Sequence, residues 1–92
     1  MFIHLVLVRI KKKDVPVYKA DCRMWKKEAA RHAGYLDCHM LMRTNKPGQY
    51  ASTYLWKDQA AHKRFMARHH DRLVSLSHCP VAVLGYYDFK AL

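Results

Sequence analysis

Residues 35–56 read YLDCHMLMRTNKPGQYASTYLW, and this stretch decides the fold. Two runs rich in apolar residues, Tyr35–Arg43 and Tyr50–Trp56, flank Asn45-Lys46-Pro47-Gly48. The asparagine, proline and glycine of that tetrapeptide are turn formers. Strand alternation puts Leu36, Cys38, Met40 and Met42 on one face of the first run. Tyr35, Asp37, His39, Leu41 and Arg43 take the other. In the second run Ala51, Thr53 and Leu55 share a face, and Tyr50, Ser52, Tyr54 and Trp56 share the opposite one. Two such runs around a turn predict a β-hairpin.

On the N-terminal side, Tyr18, Cys22, Trp25, Ala29 and His32 recur at three- and four-residue steps, one face of a helix over 15–32. Asp14 is its expected N-cap, Pro16 is tolerated in its first turn, and Gly34 ends it. Before it, Phe2–Ile10 (FIHLVLVRI) is β-branched and apolar on both faces, a buried strand. On the C-terminal side, a helix is predicted over 58–76 with Asp58 as N-cap. Ala61, Phe65, His69, Leu73 and Leu76 form its inward stripe, with Met66 beside it. Arg64, Arg68 and Arg72 form a basic ridge. Pro80 breaks the chain, and Val81–Phe89 is the last strand, with Gly85 marking a bulge or a close contact.

The order β-α-β-β-α-β is the split βαβ pattern. The expected fold is therefore α+β and ferredoxin-like, an antiparallel four-stranded sheet in a single domain spanning residues 1–92. Both helices cover one face of the sheet. The other face carries large apolar side chains and needs a partner. Two such faces set against each other give a homodimer, a dimeric α+β barrel.

Composition narrows the function. Hydrophobic residues make up 51% of 92, ample for a core and too many for a disordered chain. No apolar run reaches the roughly 18–20 residues that span a bilayer, so no membrane partner is expected. Lys11-Lys12-Lys13 follows the apolar start instead of preceding it, unlike an export signal. Cys22, Cys38 and Cys79 are odd in number, widely spaced and without a C-x-x-C pair. They read as reduced thiols, which with the missing export signal predicts a cytoplasmic protein. The net charge of +10 can attract anions or nucleic acid. No phosphate-binding glycine loop, G-x-S-x-G or H-E-x-x-H is present. Pairing His69 or His70 with His78-Cys79 matches no zinc pattern, so no metal is expected.

Several of these residues carry a resemblance. Trp56-Lys57-Asp58, Ala61, Phe65 and His70, with Gly34-Tyr35-Leu36 leading into the second strand, resemble the antibiotic biosynthesis monooxygenase-like family of the dimeric α+β barrel superfamily. Phe65-Met66 followed by His70-Asp71 is similar to its short uncharacterised members. The resemblance spans nearly the whole chain. It implies a ferredoxin-like homodimer with a pocket between sheet and helices. Characterised members include cofactor-independent oxygenases of aromatic polyketides, haem-degrading proteins and proteins of quinone chemistry. The haem degraders use an Asn on the first strand and a Trp in the second helix. This chain has Val8 or Arg9 and Phe65 there, a departure from that branch.

The candidate catalytic bases are His70, at the family position, and His69, on the inward stripe. A histidine beside a pocket moves protons near neutral pH. The candidate substrate-binding residues are His39, Tyr50, Tyr54, Trp56, Phe65, Met66 and Trp25. Asp37, His39, Ser52, the tyrosines and His4 form one polar cluster if the strand register allows it. The leading expectation is a cofactor-independent monooxygenase-like enzyme acting on a small aromatic or polycyclic substrate. The alternative is a non-catalytic dimer holding haem or another anionic ligand. The third reading is nucleic-acid binding through the arginine ridge. It is disfavoured because the first strand lacks the aromatic signature of RNA-binding sheets.

Overall fold

Strand β1 (Phe2–Arg9) lies inside a four-stranded antiparallel sheet, with β3 (Gln49–Trp56) on one side and β4 (Ala82–Lys90) on the other. Strand β2 (Tyr35–Met42) pairs outside β3, giving the order β2-β3-β1-β4. Helices α1 (Val15–Ala29) and α2 (Gln59–Leu76) complete a βαββαβ chain. The computed structural model describes residues 1–92. The fold is the ferredoxin-like α+β arrangement that the sequence pattern predicts.

Register assigns the faces. His4 pairs with Tyr54 and Phe2 with Trp56, so these four point the same way, toward the helices. Trp56 is fully buried against Phe2, Phe65, Ala61 and Leu73. A second cluster of Val8, Ile10, Tyr18 and Cys22 seats the start of α1 on the other end of the sheet. The opposite face carries Ile3, Leu5, Leu7, Leu41, Tyr87 and Phe89. No element of this chain covers it, and Leu41, Tyr87 and Phe89 are exposed.

Four local expectations are corrected. Asp14 makes no capping bond, because it ends a 3-10 turn at Lys12–Asp14 and already has helical dihedrals. His32 lies beyond the end of α1, in the turn to β2. A bulge between Tyr35 and Asp37 leaves Leu36 without a partner. It returns Tyr35 to the helix side beside Trp56, on the same face as Cys38. On α2, Leu76 is exposed and His62 is buried, so the inward stripe runs through His62. Asp58 does cap α2, its carboxylate accepting from the Ala61 backbone N–H at 2.9 Å. The expected irregularity in β4 is a bulge: the β1–β4 register shifts between Leu7 and Val8, which pair with Gly85 and Val83.

Gly34 fixes how the α1–β2 turn meets α2. Its φ is +90°, and a Cβ there would stand 2.6 Å from the Ala61 Cβ. Its carbonyl accepts from the Lys57 backbone N–H at 2.7 Å. A side chain would strain the backbone and push α2 off the sheet. Gly34→Ala is expected to lower the unfolding free energy by about 2–4 kcal/mol. Urea denaturation checks this, and a loss below about 1 kcal/mol would contradict the packing argument.

Candidate functional site

The helices do not pack closely on each other, and a cavity of about 290 Å3 lies between them and the sheet. This is near the lower end of small-ligand pockets, roughly 300–1,000 Å3. Most of its wall is apolar or aromatic. Trp25 comes from α1, Phe65 and Met66 from α2, Tyr54 and Trp56 from β3, and Val6, Val8, Val83 and Tyr86 from the strands beside them. At one end the α2–β4 connection closes over it. There Asp21 accepts from the backbone N–H groups of His78 and Cys79, at 3.0 and 2.8 Å, and Trp25 Nε1 donates to Ser77 Oγ at 2.9 Å.

Three histidines line the cavity. His4, on β1, is buried, with its Nδ1 2.6 Å from Asp88 Oδ1 on the neighbouring strand β4. An ionised carboxylate only accepts, so Nδ1 carries the proton and the neutral ring keeps its lone pair on Nε2. That pairing orients an imidazole as a base. The His62 ring lies 4.5 Å from that of His4. Burial, then the neighbouring His4, push the His62 pKa down to about 4 against the opposing pull of Asp88. His62 is therefore neutral at pH 7, and its Nδ1 is buried without a partner. His70 lines the rim, half exposed, edge-on to Trp25 and 3.0 Å from Asp71 Oδ1.

The buried thiol of Cys22 and the phenols of Tyr18 and Tyr54 in the wall are poor bases. Burial raises the Cys22 thiol to about 11 and the Tyr18 and Tyr54 phenols above their ordinary values. They stay protonated near neutrality. The buried polar atoms without a hydrogen-bond partner are Tyr18 Oη, Trp56 Nε1 and His62 Nδ1, and all three residues line this cavity. No lysine or arginine lines it. An anionic ligand, haem propionates included, finds no fixed cation there. The basic residues behind the +10 charge lie outside the cavity wall.

Of the residues singled out from sequence, the cavity gathers Trp25, Tyr54, Trp56, Phe65, Met66 and His70. Tyr50 packs beside Tyr18 in the second cluster and does not reach the lining. His39 pairs with Thr53 on the bare sheet face, next to Asp37 at 3.2 Å. It cannot converge with Ser52 and the tyrosines, which face the helices. His69 turns away from the cavity toward Glu28 and His32. Sequence reading missed His62 and the Asp88 partner of His4. The spacing of His62 from Phe65 and Met66, three and four residues, was a usable signal for the former.

No protein-family model and no curated protein matches the chain. Solved structures do. A variant of SnoaB, a cofactor-independent oxygenase from Streptomyces nogalater, superposes with a TM-score of 0.80 at 14% identity, over 98% of this chain and 91% of that one. A Deinococcus radiodurans protein, assigned without proof of activity to the antibiotic biosynthesis monooxygenases, gives 0.79 at 16%, over 99% and 92%. A protein described as an antibiotic biosynthesis monooxygenase gives 0.66 at 21%, over 100% and 99%. The fold is thus the one these monooxygenase-like proteins share.

His62 makes stability depend on pH. Its folded pKa, about 4, lies below the usual 6.5, so the folded chain binds fewer protons than the unfolded one between those values. The contribution is fully present above pH 6.5 and is lost as pH falls toward 4. The full loss is on the order of 3 kcal/mol. Denaturant unfolding at pH 7 and pH 5 should show a smaller drop for His62→Phe than for the wild type. Equal drops would show that His62 is not buried in its neutral form.

Proposed function

We propose that the protein is a cofactor-independent monooxygenase-like enzyme that oxidises a small phenolic aromatic in the cavity between sheet and helices. The observation carrying this reading is the His4–Asp88 pair, a buried and oriented imidazole in a mostly apolar pocket. The aromatic walls suit a flat ring. The His4 and His70 imidazoles on the wall suit a ligand that carries a hydroxyl. The likeness to SnoaB, itself a cofactor-independent oxygenase, supports the same reaction class.

His4 Nε2 takes the phenolic proton, and Asp88 stabilises the imidazolium that results. The phenolate is electron-rich at its ring carbons. It passes one electron to O₂, and recombination forms a carbon–oxygen bond and a hydroperoxide. Loss of water leaves a quinone. One phenol and one O₂ give one quinone and one water, so neither flavin nor metal is needed for balance. The cavity keeps bulk water from the intermediates. His70, at the rim beside Trp25, relays protons to solvent. His69 takes no part.

The working unit is a homodimer in this reading. The bare sheet face with Leu5, Leu7, Leu41, Tyr87 and Phe89 is the surface that two copies would bury against each other.

An oxygen electrode with a panel of naphthols, hydroquinones and anthrones tests the proposal. His4→Gln is expected to lower kcat by about 10²–10⁴-fold with little change in KM. Asp88→Asn should fall between His4→Gln and the wild type, and His69→Gln should match the wild type. Wild-type turnover in His4→Gln would remove the assigned base.

A further inference from the structure

Beyond the cavity, one cluster of side chains has the chemistry of a metal site. Glu28 ends α1, His32 sits in the turn after it, and His69 faces both from the middle of α2. One donor atom from each lies within 4.8 Å of the other two. The rings of His32 and His69 meet edge to face at 4.4 Å. The His69 Nδ1 is 3.2 Å from Glu28 Oε1. Donors around a tetrahedral zinc ion stand roughly 3.3 Å apart, so that edge is already formed and His32 closes the triangle with a small movement.

We propose that Glu28, His32 and His69 bind a divalent ion of the zinc class, with a water molecule in the fourth position. Two imidazoles and one carboxylate are ligands of that class, and three protein donors leave one position open. Phe65 separates the site from the cavity. Its ring touches those of His32 and His69, at 5.4 and 5.6 Å, while it also lines the cavity wall. A bound ion would join the end of α1 to α2 behind that wall. A metal clip is a usual means of stabilising a small domain.

Arg72 now stands where the ion would. Its Nη2 is 2.5 Å from Glu28 Oε1 and 2.9 Å from His69 Nδ1, and Arg31 approaches Glu28 Oε2 at 3.4 Å. Arginine only donates, so the Arg72 contact to His69 is made by an unprotonated Nδ1, the form that ligates metal. The Arg72 side chain is half exposed and free to swing into solvent. It is a placeholder cation, and the ion must displace it. This competition gives the site a signature that a scattered surface histidine lacks.

The test uses the full chain, stripped with chelator and titrated with Zn²⁺ by calorimetry and with Co²⁺ by visible absorbance. One ion per chain is expected. His32→Ala and His69→Ala should each weaken binding at least ~10-fold, on the scale of disturbing a metal's ligand set. Arg72→Gln should tighten it roughly 2- to 5-fold, because an exposed ion pair no longer competes. His70→Ala and His78→Ala should leave it unchanged. Circular dichroism of each metal-free variant establishes that it is folded. Binding that survives the His32→Ala/His69→Ala double change, no binding at all, or an Arg72→Gln variant no tighter than the wild type would each overturn the site. Oxygenase turnover is not the readout, so failure here leaves the cavity chemistry standing.

Discussion

The cavity exists because the two helices are braced apart by polar contacts at its ends and do not interlock through apolar ridges. Asp21 and Trp25 on α1 hold the α2–β4 connection at one end. Arg72 on α2 donates to Glu28 at the other, bridging it to His69. Helices packed ridge into groove leave no space of this size between them. Here the large side chains spend their surface on the sheet: Phe65 against Trp56, and Trp25 against Tyr54. An apolar void is destabilising, roughly in proportion to its volume. The polar braces hold it open.

The same bracing explains the different roles of the histidines. His4 is placed by the sheet, where β1 and β4 bring its ring and the Asp88 carboxylate into lateral register. A site built on paired strands is held more precisely than one built on a loop. His69 and His70 are neighbours on a helix, so their side chains leave α2 about 100° apart. One therefore enters the seam between the helices and the other reaches the cavity rim. Two adjacent histidines that look like one feature in the sequence belong to two sites.

The fold was legible because its signals are local and redundant. Alternation in Tyr50–Trp56, the turn at 45–48, the Asp58 cap and the glycine at position 34 each constrain one element, and all agree. The aromatic half of the cavity was legible for the same reason. Trp25, Tyr54, Trp56, Phe65 and Met66 are large and apolar, so burial on the helix face follows from periodicity. The polar half was not. Alternation alone left His39 free to join the tyrosines, and only the register of β2 on β3 puts it on the other face. A single unpaired residue, Leu36, reverses Tyr35. The His4–Asp88 contact joins residues 84 positions apart, and no local pattern encodes a separation of that kind.

The charge balance follows from these placements. The chain carries +10, yet its cavity wall includes Asp21 and no lysine or arginine. Arg72 is spent on Glu28, while Arg64 and Arg68 point to solvent. A ligand suited to this cavity enters uncharged. Ionising it inside creates an anion where desolvation is most costly, and no fixed cation stands ready. In the proposed reaction the proton moves only as far as His4, so the new anion and the imidazolium stay together as a pair backed by Asp88. Charge is then created and neutralised within one hydrogen-bonded group, and an apolar pocket can tolerate the chemistry. His62 beside it strengthens the logic. A second imidazole that stays neutral leaves the first free to take the proton without a competing positive charge 4.5 Å away.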